Sequence, residues 1–228
     1  MKFLEVNFEN EKTIIQSFDL IAEKFGSDVN IIINENYYRI VDFEFYVYSH
    51  KLQDLQTHQH KIQLEHCKFY LHSSGIDITF GDGENYGGIL LRGIVKLYDG
   101  AEKENGFMKQ QFDGPQIVAT ELFSNLYPLN STKKNEISLI DINGQNQDSS
   151  FFPAKTFFKT KRVGLSSKPT DKEDFYKNLQ LRYIIVLPVF PKFKQKIKGI
   201  ESLVQAEIKK GKLTIEDAKE ILGYKKTF

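Results

Sequence analysis

The sequence predicts an α+β fold in a single mixed domain. β-rich runs dominate the first half of the chain, and helical patterns interrupt them without the regular alternation of a doubly wound parallel sheet. The chain has 228 residues, of which 40% are hydrophobic, so it can bury a core and lies within the size range of one domain. No topology rule places the functional site in such a fold, so the site must be inferred from residues and their spacing.

Composition excludes several classes of protein. No uninterrupted apolar run approaches the roughly 18 residues that a membrane-spanning helix needs, and no apolar leader follows Met1. The single cysteine, Cys67, can form neither an internal disulfide nor a thiolate zinc cage. We therefore expect a soluble, cytoplasmic protein that has no membrane partner, with Cys67 packed as a small apolar side chain.

The net charge of +1 hides an asymmetry between the two parts of the chain. Residues 1–150 hold 13 Lys+Arg against 22 Asp+Glu, a balance of −9, whereas residues 151–228 hold 18 against 8, a balance of +10. A basic third of this kind is typical of a face that binds a polyanion such as nucleic acid. A solvated basic surface, offset by the acidic remainder, is the alternative.

The first elements along the chain are a helix and a hairpin. Apolar residues recur at three- and four-residue steps over residues 11–25, with Asn10 positioned as the N-cap and Gly26 just past the end. The apolar run Val29–Ile33, a polar turn and the β-rich run Tyr37–Tyr48 then predict two paired strands.

The longer strand of this hairpin contains candidate functional residues. Alternate residues of a strand share a face, so one face of this strand is apolar and the other presents two carboxylates and a phenol. The apolar face consists of Phe43, Phe45 and Val47, and the polar face of Asp42, Glu44 and Tyr46. Carboxylates on the solvent face of an antiparallel strand are common, and that is the alternative for Asp42 and Glu44.

The middle of the chain predicts a loop followed by three strands. Residues 49–65 are polar and predict a loop with a short helical turn, and short strands follow at Phe69–His72 and Ile76–Phe80. The run Gly87–Val95 is almost wholly apolar, which is typical of a strand buried on both faces. Arg92 lies inside this run, and a buried arginine needs an anionic partner or a solvated pocket.

The remaining elements follow from turn and capping signals. Gly114-Pro115 opens a helix whose apolar residues include Val118, Leu122 and Phe123. The other predicted elements are strands at Ile137–Ile142 and Leu181–Phe190, a helix near 198–210, and a last helix that Thr214 and Asp217 cap and that ends at Gly223.

All five histidines fall within 23 residues, directly after the strand that carries Glu44. Imidazole is the commonest metal ligand, so His58 and His60, with Glu65 or His66, could hold a divalent metal whose bound water Glu44 activates. The spacing matches no specific metal signature. A polar surface loop rich in His and Gln is the alternative.

Several segments, in order, resemble the methylpurine (3-methyladenine) DNA glycosylase family. Arg39-Ile-Val-Asp-Phe-Glu44-Phe-Tyr46 followed by Asp54-Leu-Gln-Thr-His58 is similar to the family's Arg-Ile-Val-Glu-x-Glu-Ala-Tyr strand and its Asp-x-x-x-His. The later similar segments are Phe69–His72, Ile89–Arg92, Gly114-Pro115 with its helix, Arg162-Val-Gly-Leu165 and Leu181-Arg182-Tyr183. Together they run from about residue 14 to residue 186.

The resemblance implies a role for each matching residue. Glu44 resembles the general base that deprotonates water, and Arg92 resembles the arginine that positions the nucleophile. Tyr46 and His58 resemble residues that contact the extruded base, and His72 falls near the family's stacking tyrosine. Asp42 and Thr79 complete the expected substrate-binding residues. The residues expected to contact the DNA backbone are Arg162, Arg182, Lys192 and Lys194.

The resemblance also implies an architecture and partners. We expect a curved, largely antiparallel sheet with flanking helices over residues 1–190, and a basic helical extension, residues 191–228, packed on it. The expected partner is DNA, as a damaged duplex or a single strand. No metal and no cofactor are expected, and the protein is expected to be a monomer.

Three departures from the family pattern are visible. Ser73-Ser74-Gly75 stands where the family has a bulky aromatic wedge, and Arg92 is followed by Gly93 rather than by Glu-Pro. The asparagine that discriminates against guanine in the family has no clear counterpart, although Thr79 is nearby. These departures favour a divergent branch that acts on another modified base or on single strands.

The predicted function is that of a monofunctional DNA glycosylase in base excision repair, a hydrolase that cleaves the N-glycosidic bond of alkylated or damaged purines. Damaged, poorly paired bases cost least to extrude from the duplex. Alkylated purines carry positive charge, which favours stacking on aromatic rings and makes them good leaving groups. The alternatives are a metal-dependent hydrolase that uses the His50–His72 cluster and a non-catalytic nucleic-acid-binding protein of the same fold.

Overall fold

The computed structural model describes residues 2–97, 108–141, 154–165, 171–187 and 199–222. Its helices are α1 (Glu11–Ser27), α2 (Pro115–Ser124), α3 (Asp171–Asn178), α4 (Ile200–Lys209) and α5 (Ile215–Leu222), with short 3₁₀ turns at Lys2–Leu4 and Lys61–Leu64. Its strands are β1 (Val29–Ile33), β2 (Asn36–Tyr48), β3 (His66–His72), β4 (Gly75–Phe80), β5 (Tyr86–Leu97), β6 (Met108–Asp113), β7 (Ile137–Asp141), β8 (Thr156–Thr160) and β9 (Arg182–Val186).

All nine strands of the described residues form one curled antiparallel sheet, which confirms the predicted α+β class. The main order is β3-β4-β5-β2-β1-β7, and β6 pairs with the end of β5. β2 pairs with β5 along one edge, whereas its other edge is shared between β1 and β9. The sheet therefore branches at β2, and β9 brings β8 with it.

The helix α1 covers the main core, as its periodicity predicts. Asn10 and Thr13 form a capping box at its start. Phe18 stacks on Phe45 with ring centroids 4.0 Å apart, and Phe25 packs edge-on against Phe43. The helix continues to Ser27, so Gly26, expected just past its end, lies buried inside the last turn.

The strand β2 alternates as predicted, but both of its faces are buried. Phe43, Phe45 and Val47 enter the main core. Asp42 and Glu44 project to the other face and are also 0% exposed, so the solvent-face alternative for these carboxylates is wrong. The pairing of β2 with β5 is irregular on both sides of Asp42, at the point where β9 joins the other edge of β2.

The C-terminal helices α4 and α5 pack on the sheet through a second apolar cluster. The cluster consists of Phe158, Ile184, Val186, Val204, Leu213 and Ala218. β9 serves both cores, because Tyr183 and Ile185 face the main core while Ile184 and Val186 face the second one. The predicted cap of the last helix is confirmed, with Thr214 and Asp217 bonding each other's backbone N–H groups.

Some elements differ from the predictions made from sequence. The strands β6 and β8 and the helix α3 were not predicted. On α2, Val118 and Leu122 are buried whereas Phe123 is 43% exposed. Cys67 is half-buried against the main core, as expected. The predicted end of the Leu181–Phe190 strand and of the last helix at Gly223 lies outside the described residues. None of the helices in the described ranges is long and apolar enough to cross a membrane.

Candidate active site

The carboxylate of Glu44 is held by three groups from three parts of the chain. Its Oε1 accepts a hydrogen bond of 2.9 Å from the backbone N–H of Val163, and its Oε2 accepts one of 2.9 Å from the Tyr46 hydroxyl. The Arg92 Nε lies 3.4 Å from Oε1, which provides the anionic partner that an arginine inside an apolar strand needs. Glu44 is therefore fixed in place, while each carboxylate oxygen keeps a further lone pair.

Burial sets the acidity of Glu44. Removal from water raises the pKa of its carboxyl above the usual value, and the charge of Asp42 acts in the same direction. Arg92, the Val163 N–H and the Tyr46 hydroxyl oppose this rise without cancelling it. The result is a stronger proton acceptor than an ordinary glutamate, which suits a general base.

Arg162 ties the segment that carries Val163 to β2. Its guanidinium donates two hydrogen bonds to Asp54 and further ones to the carbonyls of Phe45 and Tyr176. It also lies 4.5 Å above the ring of Tyr46, a cation–π arrangement. Arg162 therefore positions both the N–H and the hydroxyl that hold Glu44.

Arg182 forms a second internal pair below the site. It binds both oxygens of Asp42, at 2.9 and 2.6 Å, in the fork geometry typical of arginine and carboxylate. Arg162 and Arg182 are 5% and 3% exposed, so their guanidiniums are not available to phosphates at the surface. The expectation that these two arginines contact the DNA backbone is corrected accordingly, because interior carboxylates occupy them.

Two adjoining cavities are lined by residues that contact Glu44. The first has a volume of about 250 Å³ and is lined by Tyr46, His58 and His72 among others. The second has a volume of about 390 Å³ and is lined by Tyr46, Arg92 and Val163, the three residues that contact Glu44. Tyr46, Ser74, Leu90 and Gly164 line both, so the two cavities adjoin. Glu44 itself lines neither cavity and lies behind the residues that contact it.

His72 is held in one orientation at the wall of the first cavity. Its Nε2 lies 2.9 Å from Asp77 Oδ1, and its Nδ1 accepts a hydrogen bond from the Ser74 N–H. The other Asp77 oxygen accepts from Gln63 Nε2 at 3.2 Å. Because Nδ1 accepts, the proton of neutral His72 lies on Nε2 and points at Asp77. A Cβ on Gly88 would lie 2.5 Å from Asp77 Oδ2, so only glycine fits behind this pair.

His58 lies at the mouth of the same cavity. Its ring contacts His72 edge-on with centroids 4.5 Å apart, and its Nδ1 lies 3.4 Å from the Tyr70 hydroxyl. Partial burial and the neighbouring His72 lower the pKa of His58, which favours the neutral ring. A neutral imidazole can donate to, or accept from, the edge of a base.

The structure brings Glu44, Tyr46, Arg92, His58 and His72 together and leaves two other predicted residues aside. Asp42 is fully engaged by Arg182 and does not line either cavity. Thr79 is 0% exposed and accepts a hydrogen bond from the Lys68 N–H, so it also lies away from the cavities. The expected roles of Asp42 and Thr79 in substrate contact are therefore corrected. Lys192 and Lys194 lie outside the described residues.

The histidines do not assemble a metal site within the described part of the chain. No group of three or more His, Cys, Asp or Glu side chains in those residues is arranged to hold a metal ion. His58, His60 and His72 instead pack with Tyr70 as aromatic rings. The metal-dependent alternative therefore finds no set of metal ligands among the residues that the structure describes.

Four contributors to the site were given no role from sequence. Asp54, Gln63, Asp77 and the backbone of Val163 each contact a predicted residue or its partner. Asp77 had a local signal, since it is the one acid in the apolar strand β4, whose residues are all buried. Asp54 and Val163 lie in segments that resemble the glycosylase family, but no role was assigned to them, and Gln63 has no signal in its own neighbourhood.

Neither a scan against protein-family models nor a search of curated proteins finds a match to this chain. The residues and the geometry described above therefore carry the functional inference.

Proposed function

We propose that the protein is a monofunctional DNA glycosylase that hydrolyses the N-glycosidic bond of an alkylated or otherwise damaged purine. The observation that carries the proposal is one buried carboxylate, Glu44, that is hydrogen-bonded to Tyr46, which lines a cavity together with the imidazole rings of His58 and His72. A base inside a duplex is unreachable, so the nucleotide turns out of the stack into this cavity.

The cavity suits a planar and cationic base. Tyr46, His58 and His72 offer ring faces and hydrogen-bonding edges, and an alkylated purine carries positive charge that a ring face attracts. Polar side chains such as Gln56 and Ser74 complete the lining. The C-terminal third, with its balance of +10, remains basic when the internally paired Arg162 and Arg182 are set aside, which supports a polyanionic partner such as DNA.

The reaction needs one water and one base. Glu44 accepts a proton from the water, the water oxygen forms a bond to C1′ of the sugar, and the C1′–N bond breaks with its electron pair passing to the purine. A cationic purine leaves as the neutral base. As that bond lengthens the sugar becomes positive, so the ionised carboxylate also stabilises the developing charge.

The proposal requires a small movement at the carboxylate. Glu44 is 0% exposed, so the water reaches it only when Tyr46, Arg92 or the Val163 segment shifts from its present contact. Val163 and Gly164 are at the surface, which makes this segment the easiest of the three to displace. Entry of the base provides the contacts that drive such a shift.

Two alternatives differ from this proposal in their chemistry. A metal-dependent hydrolase would lose activity in a chelator, and a non-catalytic nucleic-acid-binding protein of the same fold would be indifferent to the charge of Glu44. The rates of base release by the wild type and Glu44→Gln, measured in EDTA, distinguish both alternatives from the proposal.

The test compares Glu44→Gln with the matched control Glu207→Gln. Glu207 is also buried, but it lies on α4 and contacts Thr156 and Lys210. Under single-turnover conditions with EDTA, Glu44→Gln is expected to lose about 10²- to 10⁴-fold in rate while DNA affinity is kept, and Glu207→Gln is expected to match the wild type. Equal rates for wild type and Glu44→Gln would overturn the proposal.

A further inference from the structure

Three aromatic side chains pack ring against ring beside the first cavity. We call these residues, His60, Tyr70 and His72, the ring platform. The rings of His60 and Tyr70 are stacked, with centroids 4.9 Å apart and planes at 5°. Tyr70 and His72 follow with centroids 5.0 Å apart and planes at 32°. Such spacing is that of stacked aromatic groups.

The ring platform leads from the cavity to the surface. His72 lines the cavity, Tyr70 is half-buried, and His60 is exposed. Tyr70 is also linked to His58 at the cavity mouth through its hydroxyl. The platform therefore continues the binding surface of the proposed site by two further rings.

The outer ring is held in place before any ligand binds. The ring nitrogen Nδ1 of His60 accepts a hydrogen bond from the backbone N–H of Ile62, and the backbone N–H of His60 donates one to Gln63 Oε1. The face of His60 opposite Tyr70 has no ring contact among the residues that the structure describes. A preoriented, open ring face loses little conformational entropy when a planar group stacks on it.

Cationic side chains accompany the platform. Lys68 lies on β3 two positions before Tyr70, and its side chain is 58% exposed. Its ion pair with Glu65, at 3.8 Å and exposed on both sides, is weak enough to yield to a phosphate. Lys61 is exposed directly after His60. Aromatic rings with nearby cations are the pattern of surfaces that bind single-stranded nucleic acid.

We propose that the ring platform binds the base of a nucleotide that flanks the extruded one, in single-stranded DNA. The inference rests on the proposed function and deepens it by naming the strandedness of the substrate. Only an unpaired, unstacked base can lay its face on His60, because neighbouring bases cover both faces within a duplex. The turn beside the cavity consists of Ser73 and Ser74, neither of which is large enough to fill the gap that a flipped base leaves in a duplex.

The test measures binding of undamaged DNA, which needs no catalysis. Fluorescence anisotropy with a labelled single-stranded oligonucleotide, and with the duplex of the same sequence, is recorded for the wild type and three variants. His60→Ala is expected to weaken single-strand binding about 5- to 150-fold and to leave duplex affinity unchanged. His60→Phe keeps a stacking ring and is expected to restore most of the affinity. Tyr37→Ala, which removes an exposed ring at the far end of β2, is the matched control.

Two results would overturn the ring platform as a binding site. One is single-strand affinity that His60→Ala leaves within twofold of the wild type, and the other is an equal loss for single strand and duplex. His60→Phe that behaves like His60→Ala would count against stacking as well. Failure of the glycosylase proposal is recognised separately, because it appears as absent base release and leaves these binding results as they are.

Discussion

Replacement of Arg162 by methionine removes the guanidinium that joins the Val163 segment to β2. Both side chains of the Arg162–Asp54 pair are 0% exposed, so the variant leaves the Asp54 carboxylate buried without its cation. The carbonyls of Phe45 and Tyr176 lose a donor at the same time. Asp54 keeps the Gln56 N–H as a hydrogen-bond donor, which limits the damage.

Breaking a buried ion pair from one side costs about 3–5 kcal/mol, and this structure places the variant in that range. For a chain of this size a loss of 1 kcal/mol lowers Tm by about 2–4 °C, so a fall of about 6–20 °C is expected. Base release is expected to slow too, because the Val163 N–H and the Tyr46 hydroxyl lose the group that positions them. Arg162→Lys restores little, since lysine cannot bind a carboxylate in the same fork geometry.

The assay is thermal and urea unfolding of Arg162→Met, Asp54→Asn and the double variant. Lys68→Met serves as the control, because its pair with Glu65 is exposed and is expected to contribute less than about 1 kcal/mol. The double variant is expected to be less destabilised than the sum of the two single variants. A loss below about 1 kcal/mol for Arg162→Met would refute the reasoning, because it would mean that Asp54 is solvated.

Three further predictions concern the site and its cavity. The rate of base release is expected to fall as pH falls through the pKa of Glu44, because only the ionised carboxylate accepts the water's proton. Burial raises that pKa, so the rate begins to fall at a higher pH than it would with an ordinary glutamate. Tyr46→Phe removes a hydrogen bond to the ionised form and is expected to move the acid limb to still higher pH, and an unmoved limb would contradict this. Gly88→Ala places a Cβ 2.5 Å from Asp77 Oδ2, and the displaced Asp77–His72 pair is expected to lower kcat/KM about tenfold or more. An unchanged kcat/KM in that variant would show that His72 does not depend on Asp77.

The sequence predicted the elements with strong local patterns. The periodicity of α1, the hairpin of β1 and β2 and the Thr214 cap were readable because each depends on residues within a few positions of one another. The alternation of β2 also placed Glu44 and Tyr46 on one face, where the structure joins them by a hydrogen bond.

The burial of that face could not be read from sequence. Glu44 accepts a hydrogen bond from the N–H of Val163, which lies 119 positions later in the chain, and Asp42 accepts one from Arg182, 140 positions later. Counted by composition, Arg162 and Arg182 belong to a basic surface, but the curl of the sheet at β9 brings them to interior carboxylates. Local pattern predicts which residues share a face, whereas tertiary packing decides what covers it.

The most direct test of the central claim is a base-release assay on methylated DNA in the presence of EDTA, with free bases separated by chromatography. The proposed chemistry predicts that the wild type releases 3-methyladenine or 7-methylguanine without metal and that Glu44→Gln releases neither at a comparable rate. Absence of any released base from wild-type reactions on both single-stranded and duplex methylated DNA, with the DNA bound, would contradict the assignment of alkylated purines as the substrate.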